Sequence, residues 1–482
     1  MSILPILPID TPEDIQVALG RRRKEQQEMW VATTDLPKSP GHVFYEKLNG
    51  VLAEAGFDEF VEKLCEPYYA DNVGRPGIPP GVYFRMVFAG YFEGIDSQRG
   101  IAWRCSDSLS MKEFLGLAPY DKSPDHSSMT NTRKRLPLEV FLEAFSFVLK
   151  MAEVHNLLKG KTLGVDSTML EANAAMKTIV RKDSGNDWME YLRKLYEEET
   201  GEENPTDEDL RRFDRKRRDK KVSNDEWESS TDHDARIAKM KDGRTHLAYK
   251  AEHAVDLDTE IIVAAEIYHA NESDQDTIGE SMETAEDNLI RGEVEATPKE
   301  AVGDKGYYKT ETLTELKFTR GYRTYIAEPK LNGRRNWKHR TDEDQAAAYN
   351  NRRRQKGDRG KALHRRRSEF VERSFAHVCE TGGARRCWLR GLTKVRKRHL
   401  MAVAAHNLGL ILRKAFGMGK PRSADGASGL LCIAYIAVKC FASLRLGLTR
   451  QSQAIPRVMT IGKRTIDLAT FRPAAGIFST GC

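Results

Sequence analysis

The sequence has no C-x-x-C pair, and none of its histidines are spaced H-x-x-x-H. Its seven cysteines (Cys65, Cys105, Cys379, Cys387, Cys432, Cys440 and Cys482) are odd in number and scattered. Neither a disulfide framework nor a zinc ribbon is indicated, and a reducing cytosolic compartment is expected. A P-loop is also missing, because "GMGKPRS" lacks the G-x-x-x-x-G-K-[ST] spacing. No long apolar run is uninterrupted. The most apolar window, "LLCIAYIAVKCFASL" (430–444), is broken by Lys439 and followed by Arg445, so a buried or partner-seeking segment is expected rather than a membrane helix. The opening stretch "MSILPILPIDTPEDIQ" has no basic n-region and no cleavage site, unlike a signal peptide.

What is abundant is charge. Of 482 residues, 31% are charged and 40% apolar, so a core of real size can form beneath a very polar surface. The net charge of +6 is modest, but the basic residues cluster. Clustered Lys and Arg are the footprint of a polyanionic partner.

Residues 1–155 read as a helical region. Pro79-Pro80 opens "GVYFRMVFAGYFEGI", whose apolar positions recur at helical spacing, and Asp96-Ser97 can cap "QRGIAWRC". "SPDHSSMTNTRKRL" then offers a polar turn and a short basic helix carrying Arg133, Lys134 and Arg135. This pattern suits a helix-turn-helix reader of DNA, and equally a plain bundle with a solvated basic face.

From 156 to 417 strands enter. "KTLGVDSTML" is the first, and "RTHLAYKAEHAVDLDTEIIVAAEIYHA" reads as a hairpin around "DLDTE". "PKEAVGDKGYY" and "YRTYIAEP" hold two more. A charged stretch at about 177–232 separates the first strand from the hairpin, and reads as a solvated insertion with some helix. Residues 331–367 carry 13 Lys/Arg against 4 Asp/Glu and contain Trp337 and Tyr349. Arg352, Arg353 and Arg354 form one triplet there, and Arg365, Arg366 and Arg367 another. Phosphate contact is expected, since guanidinium groups hold phosphates bidentately and release their counterions. Residues 418–482 form a tail of no recognisable role.

Asp166 and Asp304 close two apolar runs, "TLGVD" and "EAVGD", each followed by a small or flexible element. In neighbouring strands their carboxylates would converge and repel unless a cation lay between them. Mg²⁺, a hard ion that prefers oxygen ligands, fits that need. Glu372 in "SEFVERSF" follows the arginine run directly and is the leading third carboxylate. Two metal ions held there could activate an attacking oxygen and stabilise a leaving one at phosphorus. Asp232, Asp234, Asp256 and Asp276 stay open as alternatives, because a lone acid more often caps a turn.

The blocks "GRPGIPPGVYFRMVFAGYFEGIDSQRGIAWRC", "LGVDSTMLEANAA", "STDHDARIAKMKDGRTHLAYKAEHAVD", "AVGDKGYYKTETL", "FVERSF" and "RGLTKVRKRHLMAVAAHNL" occur in that order. Together they resemble the DDE transposases of bacterial insertion sequences, over roughly residues 40–417. The resemblance implies an α/β fold, with a ribonuclease H-like mixed sheet flanked by helices after an all-α, helix-turn-helix-like N-terminal domain. It implies that Asp166, Asp304 and Glu372 are catalytic and hold two Mg²⁺ ions, which Mn²⁺ can replace. Lys305 and Tyr307 would lie beside the metals, with Lys305 toward the DNA backbone. The implied reaction is cleavage at the element's ends, then attack of the freed 3′-hydroxyl on target DNA. Its partners are double-stranded DNA, as terminal inverted repeats and target, and further copies of the chain on that DNA. A cytoplasmic, nucleoid-associated protein without a membrane is implied. Ser368 and Cys379 stand where relatives often carry basic residues, which keeps a non-catalytic DNA-binding relative open as an alternative.

Overall fold

The computed structural model describes residue 32 and residues 40–70, 77–217, 222–240, 242–330 and 335–419. Of the C-terminal tail expected at 418–482, all but the first two residues lie outside the described range. The described residues belong to one unit, Met1–Ala424.

Helices α1 (Pro40–Glu54), α2 (Phe57–Cys65), α3 (Pro80–Glu93), α4 (Gln98–Asp107), α5 (Leu109–Phe114), α6 (His126–Arg135) and α7 (Leu138–Val154) come first. Their starts follow local chemistry. Pro80 sits in the first turn of α3, and the Ser97 side chain accepts the Gly100 N–H to cap α4. Asp125 does the same for α6 through the Ser128 N–H at 2.8 Å. Phe44, Phe57, Phe84, Phe88 and Phe141 fill the interior between these helices, several meeting edge to face.

Strand β1 (Thr162–Glu171) starts the sheet-forming half. The charged insertion follows, with β2 (Ile179–Arg181), α8 (Trp188–Thr200), α9 (Asp207–Lys216) and β3 (Trp227–Ser229). It is more ordered than its lack of apolar periodicity suggested. Strands β2 and β3 pair, Trp188 and Tyr191 pack on buried Trp227 with ring centroids 5.3 Å from it, and reciprocal capping boxes start both helices. A few aromatics and strong caps replace the apolar stripe that a sequence reading looks for.

Next come β4 (Arg236–Lys239), β5 (Thr245–Asp256), β6 (Ile262–His269), α10 (Asp274–Arg291), β7 (Glu300–Gly303), α11 (Thr310–Thr314) and β8 (Arg323–Ile326). Three helices end the described chain, α12 (Asp342–Lys356), α13 (Asp358–Phe375) and α14 (Leu392–Phe416). The hairpin expected around "DLDTE" is β5–β6.

The main sheet runs β4-β5-β1-β7-β8, with β6 also on β5. Strand β1 pairs antiparallel with β5 and parallel with β7, and β7 pairs parallel with β8. This mixed sheet flanked by helices, preceded by a helical region, is the expected ribonuclease H-like arrangement. Helix α13 packs against β1, β5 and β7, whereas α10 packs against β5 and β6. Helix α14 packs on β6 and also meets α3 and α7, so the helical region and the sheet share buried side chains.

Candidate active site

The ladder between β1 and β7 pairs Thr162 with Glu300, Leu163 with Ala301 and Gly164 with Val302. Asp166 and Asp304 each lie two residues beyond that last pair. Two parallel strands in register thus deliver both aspartates to one edge of the sheet. One expectation needs correcting, for β1 does not end at Asp166. The antiparallel ladder with β5 carries it on to Glu171, with Asp166 opposite His253. What stops after Gly164 is the pairing with β7, and that opens the edge at which Asp166 stands.

Helix α13 supplies the counter-charge. Arg367 Nη1 lies 2.9 Å from Asp166 Oδ2, the guanidinium being 10% exposed and the carboxylate 23%. Burial raises the Asp166 carboxyl above its ordinary value and Asp304 adds to that, while Arg367 and the Ser167 N–H pull it down. Gly164 makes the approach possible. A Cβ there would meet Leu257 Cδ2 at 2.6 Å and Arg367 Cγ at 3.0 Å. The glycine in "TLGVD" is the notch over which the Arg367 stem passes.

Asp304 accepts the Gly306 N–H at 2.7 Å and caps the short turn Lys305–Tyr307. Across that turn stands a further carboxylate, Asp274, in the first turn of α10. A Cβ on Gly306 would meet Asp304 Oδ1 at 3.0 Å and Asp274 Oδ2 at 3.1 Å. Asp274 accepts the Ser167 hydroxyl at 2.8 Å and faces the buried Lys250 ammonium at 3.4 Å.

Beneath these groups Glu252 is fully buried. It accepts the Tyr307 hydroxyl at 2.8 Å and the Thr277 hydroxyl at 3.0 Å, and Ser281 donates to its other oxygen. Burial pushes the Glu252 carboxyl up to about 7, against the pull of those donors and of Lys250. Tyr307 therefore ties the turn that begins at Asp304 to the floor of the sheet.

Glu372 lies five residues beyond Arg367 on α13, exposed, and accepts the Ser368 hydroxyl at 3.1 Å. Among the described residues, no group of three or more His, Cys, Asp or Glu side chains is disposed to hold a metal ion. The structure thus brings Asp166 and Asp304 together and leaves Glu372 on the solvent side of the adjoining helix. The other acids weighed on sequence have local partners. Asp256 accepts the Lys159 and Gly160 N–H groups, Asp232 takes the Tyr249 hydroxyl, Asp234 the Leu392 N–H and Asp276 the Ser273 hydroxyl.

The candidate DNA contacts divide. Lys134, Arg135, Lys305, Arg353, Arg365 and Arg366 are exposed, Arg366 beside Asp258 at 2.9 Å. Arg352 is paired with Glu328, Arg354 binds the Thr324 carbonyl and hydroxyl, and Arg367 is committed to Asp166. Arg133 faces inward and is only 8% exposed.

Comparison with known families fits this layout. Residues 35–135 match the Transposase domain (DUF772), and residues 329–412 match the Transposase DDE domain. Both are transposase models, and together they support a DDE transposase of insertion-sequence type. No curated protein and no solved structure matches it. The first matched stretch spans α1 to α6, and the second contains α12, α13 and most of α14 with Arg367 and Glu372. Asp166 and Asp304 lie between the two, so their place rests on the sheet register.

Asp274, Lys250 and Glu252 escaped the sequence reading for different reasons. Asp274 looks like any acid in a first helical turn, and Asp276 nearby looks the same. Lys250 and Glu252 sit in "LAYKAEHAV", where two charges inside an apolar strand were the available signal of a buried polar network.

Proposed function

We propose that this transposase cuts DNA at the ends of its element and joins the freed ends to target DNA, with Asp166, Asp304 and Glu372 at the reacting phosphodiester. The observation that carries the reading is the register of Asp166 and Asp304 at one sheet edge, beside a helix bearing Glu372 and exposed arginines. The paired donors of Asp166 and Asp304 are carboxylate oxygens, the ligands a hard cation prefers, with Arg367 as the present counter-charge of Asp166 and Glu372 on the solvent side of α13. That donor set fits Mg²⁺, with Mn²⁺ as a substitute. When bound, such ions supply Lewis-acid activation of the attacking oxygen and stabilisation of the leaving one.

The chain's own residues orient the substrate. Lys305, Arg365 and Arg366 take the backbone near the site, while α6, with Lys134 and Arg135, serves the end-reading region within residues 1–155. In the cutting step an oxygen–phosphorus bond to water forms and the phosphorus–O3′ bond breaks, leaving a 3′-hydroxyl. In the joining step that hydroxyl attacks a target phosphorus and displaces the target's 3′ oxygen. Two ends must be held at once, for which a homo-oligomer on DNA is the natural form. A cytoplasmic, nucleoid-associated site of action follows from that substrate. No described helix is long and apolar enough to cross a membrane.

The test is a plasmid carrying the DNA that flanks the gene, incubated with the purified chain and Mg²⁺. Nicked and joined products are expected, and Asp166→Asn is expected to remove both while leaving the DNA mobility shift nearly intact. Binding without any cut product in the unsubstituted chain would instead support the non-catalytic DNA-binding alternative. Cut DNA without joined products would reduce the function to that of a nuclease.

A further inference from the structure

Between the helical region and α14 lies a cleft of about 260 Å³, room for about nine waters at ~30 Å³ each. Its walls include Tyr83, Ile101, Met129, Phe141 and Met401. Three cations line it as well, Arg133, Lys397 and Arg398, against one carboxylate among the described lining residues, Asp96. Asp96 is already bonded, accepting the Trp388 indole N–H at 2.6 Å.

The cations are poorly compensated. Lys397 donates to the Leu136 carbonyl at 2.6 Å, and Arg398 donates to the carbonyls of Gly383 and Arg386 at 3.0 and 3.3 Å. These acceptors are neutral. Arg133 is 8% exposed, and its Nε is buried with no hydrogen-bond partner. Burial lowers the Arg133 and Arg398 guanidinium values; at Arg398 the Asp96 charge opposes this and Arg133 adds to it, whereas no carboxylate offsets it at Arg133. A buried guanidinium beside another and without an anion is strongly disfavoured. The cleft has the charge and the shape of a site whose anion is a ligand.

We propose that this cleft binds a small organic oxyanion, a phosphate or carboxylate carried on one ring-sized apolar body. The guanidinium of Arg133 takes the oxyanion head, with Arg398 and Lys397 adding positive field, and the aromatic and methionine walls take the body. A guanidinium matches such a head in two parallel hydrogen bonds. The site stands apart from the strand-edge aspartates and does not depend on their chemistry.

Calorimetric titration of the full-length chain tests this with four probes: phenyl phosphate, benzoate, inorganic phosphate and benzyl alcohol. Phenyl phosphate or benzoate is expected to bind, and inorganic phosphate and benzyl alcohol to bind at least roughly tenfold more weakly. Arg133→Met is expected to weaken the bound probe by roughly tenfold or more. Without ligand, its melting temperature should equal or exceed that of the unsubstituted chain, since an uncompensated charge is gone. Ala402→Phe, which fills the cleft without touching a charge, is expected to abolish binding. The proposal is overturned if neither anionic probe binds, or if benzyl alcohol or inorganic phosphate binds as well as they do. It is equally overturned if Arg133→Met keeps full affinity or unfolds the free chain, because Arg133 then serves the fold alone.

Discussion

Arg367 Nη1 and Asp166 Oδ2 are 2.9 Å apart across the face between α13 and β1, and the same nitrogen reaches the Val165 carbonyl at 3.3 Å. The arginine that closes the basic run therefore does not point at solvent. It holds positive charge at the oxygen where two facing carboxylates need it.

Removing that charge exposes the need. Arg367→Met is predicted to lower stability in chelator by about 1–3 kcal/mol, less than for a fully buried pair because Asp166 is partly solvated. Added Mg²⁺ is predicted to restore more stability to the variant than it adds to the unsubstituted chain, because the ion then meets Asp166 without a competing guanidinium. Urea denaturation with and without Mg²⁺ reads both effects. Equal Mg²⁺ responses in the two proteins would separate Arg367 from metal binding.

Gly164 sets the distance of that contact. Gly164→Ala places a methyl against Leu257 and the Arg367 stem, and overpacking of this kind costs about 1–3 kcal/mol. The predicted signature is a drop in thermal midpoint together with slower DNA cutting, because α13 is pushed from β1. If the variant melts and cuts like the unsubstituted chain, the close approach is not needed.

The apolar runs and the strand pair around "DLDTE" were legible in the sequence because period-two patterning and turn residues are local signals, whereas Asp166 stands inside β1 and not at its end. The parallel register of β1 and β7 was not, since it is set by chain separated by more than a hundred residues. That register turns two unremarkable aspartates into a pair. The arginine run was legible as charge, but its side chains take opposite fates along one helix. Arg365 and Arg366 are exposed whereas Arg367 is buried, which only the packing face of α13 decides. The insertion at 177–232 reads as a solvated segment with some helix, which α8 and α9 supply, but its small core on Leu192, Leu210 and Trp227 was not legible because no repeating stripe marks it.

The split within the run yields a binding prediction. Replacing exposed Arg365 and Arg366 together by Ala is predicted to reduce the slope of log affinity for DNA against log salt by up to about 2. Replacing Arg352, which is held by Glu328 at 2.6 Å, is predicted to change that slope little. Fluorescence anisotropy on one DNA duplex over a range of salt concentrations measures both. A larger slope change for Arg352→Ala than for the exposed pair would reverse the assignment.

Glu252 carries the last prediction, a dependence of stability on pH. Its carboxyl is held near 7 in the folded protein against 4.5 ordinarily, chiefly by burial. Between those values the folded state keeps a proton that the unfolded chain has lost, so this group's contribution to stability falls as pH rises from about 4.5 to about 7. Glu266, pushed up to about 7 by burial despite its partner Arg396, acts in the same direction. His253 and His399, bonded to each other at 2.8 Å, act in the opposite sense. Burial lowers both, so they contribute stability that is lost as pH falls below the ordinary histidine value. The net profile mixes these signs, and the difference between Glu252→Gln and the unsubstituted chain isolates one of them. Glu252→Gln is predicted to gain stability relative to the unsubstituted chain as pH rises from about 5 to about 8, by an amount on the order of a few kcal/mol. Tyr307→Phe, which removes a hydrogen bond to the charged form, is predicted to extend the fall of stability to higher pH. Urea midpoints at a series of pH values decide the matter: parallel profiles for all three proteins would mean that Glu252 stays ionised in the fold, and that its network does not hold the turn at Asp304 through a proton.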